Sequence, residues 1–376
     1  MSNFAAQPAF GVADIVRQHG ARFRARHADH LVHQQKRALD DIERCRTAAL
    51  GGHVAVYACN HEVIAYNSCR NRHCPRCLQH RARDWVEQKE HDLLPVPYFH
   101  VVFTLPQALL DVPAMARATL YEALFAASAQ TLLRFGRERL NGQLGFLAVL
   151  HTWGQTLTLH PHVHCVVAGG AFNRATGTWT ATKTNFLFAV RALSKVFRGK
   201  MIAELRRRTI PGVDTSKREQ LIAAAARNDW VVHAKPPFGG PAQVLRYLAR
   251  YTHRVAISDH RIVNVDERTV TFSWKDYRDD GARKLMTLDA VEWLRRFSQH
   301  ILPRSFTRLR SYGFLANANK AKNLVAIRAT LAVTAPPQKT RDEEQEPRSC
   351  RCPVCGVGLL VERRPLGGST PGADTS

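Results

Sequence analysis

The stretch FLAVLHTWGQTLTLHPHVHCVVAGG, residues 146–170, decides the fold. It holds two apolar runs, 146–158 and 163–167, linked by Leu159-His160-Pro161 and stopped by Gly169-Gly170. Such runs read as two adjoining strands. In the second, His162 and His164 stand at i and i+2, so both rings point to one face while Val163 turns to the core. Two neutral imidazoles rarely fill a metal shell. Gln155, on the preceding strand, is the chosen third ligand, with His151, four residues earlier, as the alternative. A mixed nitrogen and oxygen shell with open positions suits Mg²⁺ or Mn²⁺ holding a phosphate. Pro161 removes a ladder donor, so His160 is read as an outer or phosphate contact. The spacing alone is weakly specific, and two strand histidines without a metal are the plain alternative.

Around this hairpin the pattern is α+β. Residues 98–105 read as a strand and 114–140 as a long helix. Helices follow at 187–208 and 217–228, with a short strand at 231–233. After Gly239-Gly240-Pro241 comes a helix over 242–252, then alternating runs (VAISD, RIVNV, TVTFSW) that suggest an antiparallel meander, then a helix over 288–300. Upstream, residues 11–50 read as helix, 53–83 as a small Cys-, His- and Arg-rich module with little core, and 82–93 as a helix leading out. Three regions result: a helical and metal-stapled region 1–95, a main domain 96–330, and a flexible tail 331–376 that carries a Cys cluster.

Tyr247 and Tyr251 lie at i and i+4 on the helix predicted for 242–252, so their phenols share one face. A phenol can attack a phosphodiester and hold the 5′ phosphate covalently. Aromatic residues at this spacing are more often a core stripe. Here Arg246, Arg250, His253 and Arg254 surround the pair with positive charge, which suits phosphate better than a core.

Nine cysteines without a signal peptide point to a reducing, cytoplasmic setting and to metal rather than disulfides. Cys74-Pro75-Arg76-Cys77 is a C-x-x-C knuckle, and Cys59, Cys69, Cys74 and Cys77 form the simplest structural Zn²⁺ set, with Cys45, His53, His61 and His73 in reserve. Cys350, Cys352 and Cys355 make a second knuckle, short of one ligand. The alternative is free, buried thiols.

The chain carries 54 Lys and Arg against 31 Asp and Glu, a net charge of +23, which fits a polyanion and not a small neutral metabolite. No run reaches the ~18 apolar residues of a membrane span. Arg70, Arg72 and Arg76 lie in a stretch without acidic residues and read as a DNA-contact surface. Residues 303–328 combine six cations, Arg308 and Arg310 among them, with Phe306, Tyr312 and Phe314 and no acid; these are the components of a single-strand groove.

The motifs YNSCRNRHCPRC (66–77), HTWGQTLTLHPHVHCVVAGG (151–170), YLARYTHRVAIS (247–258), FSWKDYR (272–278) and RSYGFLAN (310–317) together resemble the transposases of the insertion-sequence-91 family, over roughly residues 15 to 330. The resemblance implies an HUH endonuclease-like antiparallel sheet flanked by helices, preceded by a zinc-binding module. It implies that His162 and His164 are the HUH histidines and Tyr247 and Tyr251 the tyrosine pair. It implies nicking and rejoining of single-stranded DNA in rolling-circle-like transposition. Relatives commonly carry C-x-x-C where this chain has Val56 and Cys59. A plasmid relaxase or replication initiator, and a zinc-ribbon DNA-binding regulator without catalysis, are the competing readings.

Overall fold

The computed structural model describes residues 8–77, 91–227, 230–235, 243, 256–333 and 351–366. A six-stranded antiparallel sheet lies at the centre. Its path runs β11 (Leu309–Gly313), β4 (Gln143–Trp153), β5 (Leu159–Asn173), β3 (Tyr98–Thr104) and β7 (Val232–Lys235), and β6 (Thr178–Ala181) pairs with the far end of β5.

Alternation along these strands separates two faces. Phe99, Val101 and Phe103 of β3, Val163, Cys165 and Val167 of β5, and Phe146, Ala148 and Leu150 of β4 form one of them. This face packs on α3 (Arg117–Leu140) and α4 (Val190–Arg207), where Phe103 meets Phe197 at 4.9 Å between ring centroids. Each fully buried Phe, Leu or Val there contributes on the order of 2 kcal/mol. The opposite face carries a second layer at one end only. Tyr98, Leu147, Val149, Val166 and Ala168 pack with Phe314 and with Leu324 and Ile327 of α7 (Lys320–Thr330). The histidines occupy the other end of this same face. Helix α5 (Thr215–Ala226) is capped by Asp214, whose carboxylate accepts from the Lys217 amide at 2.7 Å.

The observed strands correct the predicted hairpin. β4 stops at Trp153, not Thr158, and β5 begins at Leu159, so Pro161 sits inside a strand. A β-bulge between His151 and Trp153 accommodates it, the setting in which a sheet tolerates proline. The meander is also displaced. Residues 256–258 are not strand, and the three strands are β8 (Ile262–Val265), β9 (Thr269–Asp276) and β10 (Ala282–Asp289).

The N-terminal region does not close on itself. The predicted helix 11–50 is two helices, α1 (Val12–His27) and α2 (His33–Arg44), broken before Val32. Both share one core with the β8–β10 sheet and with α6 (Ala290–Ser298): Ile15, Phe23, Leu39 and Ile42 pack with Phe272, Trp293 and Phe297. Polar bonds cross the same seam. Asp259 accepts from the Val12 amide at 2.9 Å, and the Gln35 side chain donates to Ser298 O at 2.8 Å. Residues 351–366, expected within a flexible tail, instead carry β12 (Leu360–Pro365), which pairs with β1 (Gly52–Tyr57); β1 in turn pairs with β2 (Glu62–Tyr66).

At the edge of the main sheet Gly313 has φ +64°, and a Cβ there would lie 1.6 Å from Leu144 O. Both the backbone conformation and the close approach require glycine. Gly313→Ala should therefore cost at least ~2 kcal/mol and lower the thermal midpoint by several degrees in calorimetry. An unchanged midpoint would show that the β4–β11 contact is not under this constraint.

Candidate metal centre

The β4–β5 register sets His151 opposite His162 and Val149 opposite His164. Strand alternation then brings the three rings together, with ligand nitrogens all within 4.8 Å of one another. Ring centroids lie 4.5 Å (His151–His164), 4.7 Å (His162–His164) and 5.5 Å (His151–His162) apart. The structure brings His151, the alternative, to the pair. Gln155 lies in the loop 154–158, past the end of β4, where strand alternation no longer sets its direction; its backbone carbonyl accepts from Arg261.

Two further bonds fix the rings. His162 Nδ1 is 2.6 Å from His160 O, which leaves Nε2 as its ligand atom. His164 Nδ1 is 2.8 Å from Nε2 of His100 on β3, and those two rings stack at 5.1 Å with 4° between planes. Trp153 stacks on His151 at 4.7 Å. Burial pushes His162 down to about 4, and the carbonyl of His160 opposes it only partly. Burial, then the neighbouring His151 and His162 rings, push His164 well below the ordinary imidazole value. Both are therefore neutral near pH 7, the form that binds metal. Three neutral imidazoles with outer partners fit a divalent cation that keeps open positions.

Of these residues His100 was missed in the sequence. It stands in an apolar strand with no local motif, and only the pairing of β3 with β5 places it beside His164.

Cys45, Cys69, Cys74 and Cys77 form a second cluster, their sulfurs all within 4.8 Å of one another. Cys45 and Cys69 each lie 3.6 Å from Cys77, and Cys74 lies 3.7 Å from Cys45. Tetrahedral zinc with bonds of ~2.3 Å requires sulfur separations of roughly 3.8 Å, so the set fits. The expected set is thus corrected at one place. Cys45, at the end of α2, replaces Cys59, which lies in the turn after β1 with Cys352 and Cys355.

Several arginines read as DNA contacts have partners inside the protein. Arg72 donates to the carbonyls of Phe306 and Pro303. Arg76 pairs with Asp14 and Asp259, each at 3.3 Å. Arg310 makes a bidentate pair with Glu122 and lies 4.2 Å over the Phe125 ring. Burial lowers Arg308 to about 10. Phe306 and Phe314 are buried in the core, so residues 303–328 are not an open stacking groove. Arg70 is exposed. Tyr247, Tyr251, Arg246, Arg250 and Arg254 lie outside the described residues.

If the His100 bond positions His164, His100→Leu should weaken Mn²⁺ binding ~10–100-fold while the fold persists, less than the loss caused by His164→Ala. Titration calorimetry reads both. Equal affinity in the His100 variant and the unaltered chain would remove that role.

Comparison with known proteins places these sites. The sequence profile described as "Transposase zinc-binding domain" matches residues 15–105, and that described as "Putative transposase" matches residues 145–323. The protein "Putative transposase y4qJ" of Sinorhizobium fredii is 43% identical over 93% of this chain and 94% of its own length. The transposase for insertion sequence element IS801 of Pseudomonas savastanoi pv. phaseolicola is 29% identical over 74% of this chain and 69% of its own length. Among solved structures, the conjugative relaxase TrwC in complex with OriT DNA overlaps 45% of this chain and 67% of that one, at 17% identity and a TM-score of 0.25, too partial to bear on function. The four-cysteine cluster falls within the zinc-domain match and the three histidines within the transposase match, and the chain belongs to the insertion-sequence-91 family of transposases.

Proposed function

We propose that the chain nicks and rejoins single-stranded DNA at element ends, through 5′-phosphotyrosine intermediates, in rolling-circle-like transposition. The observation that carries this reading is the three-histidine cluster on one sheet face, inside a chain of a transposase family. His151, His162 and His164 would hold a divalent cation. Three nitrogens favour a transition metal such as Mn²⁺ over Mg²⁺. When bound, the cation polarises the scissile phosphate and stabilises the leaving oxygen.

The nucleophile is assigned to Tyr247 or Tyr251. The phenol oxygen gives up its proton and attacks phosphorus; the bond from phosphorus to O3′ breaks, leaving a 3′ hydroxyl and a phosphotyrosine. A 3′ hydroxyl attacking that phosphotyrosine restores the diester and the phenol. Phosphoryl transfer needs positioning and charge neutralisation more than further covalent groups, which a rigid sheet with neutral ligands supplies. The net charge of +23 supports a polyanionic substrate. Zinc on Cys45, Cys69, Cys74 and Cys77 is structural in this reading, since four thiols leave no open position. A cytoplasmic setting fits the free thiols, and among the described residues no helix is long and apolar enough to cross a membrane.

Incubation with labelled single-stranded element ends and Mn²⁺ should give a protein–DNA adduct stable to denaturation. The adduct should vanish in the Tyr247→Phe, Tyr251→Phe double variant; its survival there would end the tyrosine assignment. His162→Ala should reduce cleavage by at least ~100-fold and change DNA affinity less than about threefold, because the positive surface is kept. Cleavage that persists in that variant would separate the histidines from the chemistry.

A further inference from the structure

We infer that Cys59, Cys352 and Cys355 form a second zinc site, distinct from the four-cysteine cluster, that clasps the C-terminal strand onto the N-terminal hairpin. Their sulfurs lie within 4.8 Å of one another, with Cys355 and Cys59 at 3.4 Å. The ligand set is disjoint from Cys45, Cys69, Cys74 and Cys77, and two of its members lie beyond the zinc-domain match, which ends at residue 105.

Both loops have the form of a metal knuckle. In Cys352-Pro353-Val354-Cys355-Gly356, Gly356 takes φ +72°, and its amide donates to Cys352 O at 2.9 Å. The Gly358 amide donates to Cys355 Sγ at 3.3 Å, a bond that favours the thiolate. Opposite, the turn from Tyr57 to His61 is closed by the Asn60 amide on Tyr57 O at 2.8 Å, with Asn60 at φ +60° and Cys59 at its tip. The Ala58 amide donates to Leu359 O at 2.8 Å and joins the two loops. A Cβ on Gly358 would lie 2.8 Å from Cys59 Sγ, so glycine lets the loops meet at the sulfurs.

The sheet that these loops close gives an independent reason for a metal. In β1, β2 and β12 only Ala55 is buried, while Ile64 and Val361 are 54% and 68% exposed. Three short strands without a core are marginal on hydrogen bonds alone, and small modules of this kind are stapled by metal. Three soft thiols select zinc over hard cations. Three protein thiols leave one tetrahedral position to a further donor.

This inference does not depend on the proposed reaction, and its test reads metal, not cleavage. Because the three histidines also accept zinc, zinc is counted in the full-length His162→Ala chain purified under reductant. We expect two zinc ions per chain, and one after Cys352→Ser with Cys355→Ser, or after Cys59→Ser. In each variant Cys45, Cys69, Cys74 and Cys77 should stay protected from alkylation, read by mass spectrometry, which shows that the first site is intact. Residues 53–57 and 360–365 should lose hydrogen-exchange protection together. One zinc in the parent chain, two retained in the variants, or a Cys59–Cys355 disulfide in place of the second ion would overturn the proposal.

Discussion

The antiparallel register between β4 and β5 governs the candidate centre. Side chains alternate with a period of two, so a slip of one residue would turn every histidine into the helical core and every core residue out. The apolar face prevents this slip. Phe146, Ala148 and Leu150 against Val163, Cys165 and Val167 are held by α3 and α4, and the same alternation turns His151, His162 and His164 outward together. The site is therefore as rigid as the core behind it. Burial on that opposite face keeps the rings of His162 and His164 neutral.

A second dependence links the zinc-binding region to the rest. Its helices bury their apolar side against the β8–β10 sheet and α6. Arg76, inside the C-x-x-C knuckle, bridges Asp14 of α1 and Asp259 before β8. Arg72 reaches the carbonyls at 303 and 306. A module that binds metal because it lacks a core is here also seated on a core built by residues more than 180 positions away. These contacts join the cysteine cluster directly to residues 256–306.

What the sequence disclosed follows from the range of the interactions. His162 and His164 were legible because a period of two needs only neighbours, and Cys69, Cys74 and Cys77 because a knuckle is local. The long helix at α3 was legible for the same reason. His100 was not, and Cys45 stood only in reserve, since each is brought in by another element: β3 by strand order, α2 by its packing. That His151 lies on β4 and Gln155 beyond its end follows from where the strand stops, and strand boundaries are set by pairing, not by composition. Arginine makes the limit plainest. A guanidinium that will meet Glu122 or Asp259 looks, in its own stretch of sequence, the same as one that will meet a phosphate. The 303–328 stretch read as a groove because its acidic partner lies 188 residues upstream.

The pairing of β12 with β1 has a consequence for the order in which the molecule is made. Residue 53 pairs with 365, and 57 with 360, so one edge of the first hairpin is completed by a segment made some 300 residues later. Until that segment is made, the edge presents unpaired amides and carbonyls, a template for strands of other nascent chains. Chains interrupted by a late stop codon or frameshift would keep the main sheet, the histidines and the four-cysteine cluster, yet carry a permanently open strand. Closure of the first sheet thus waits on a segment made some 300 residues later.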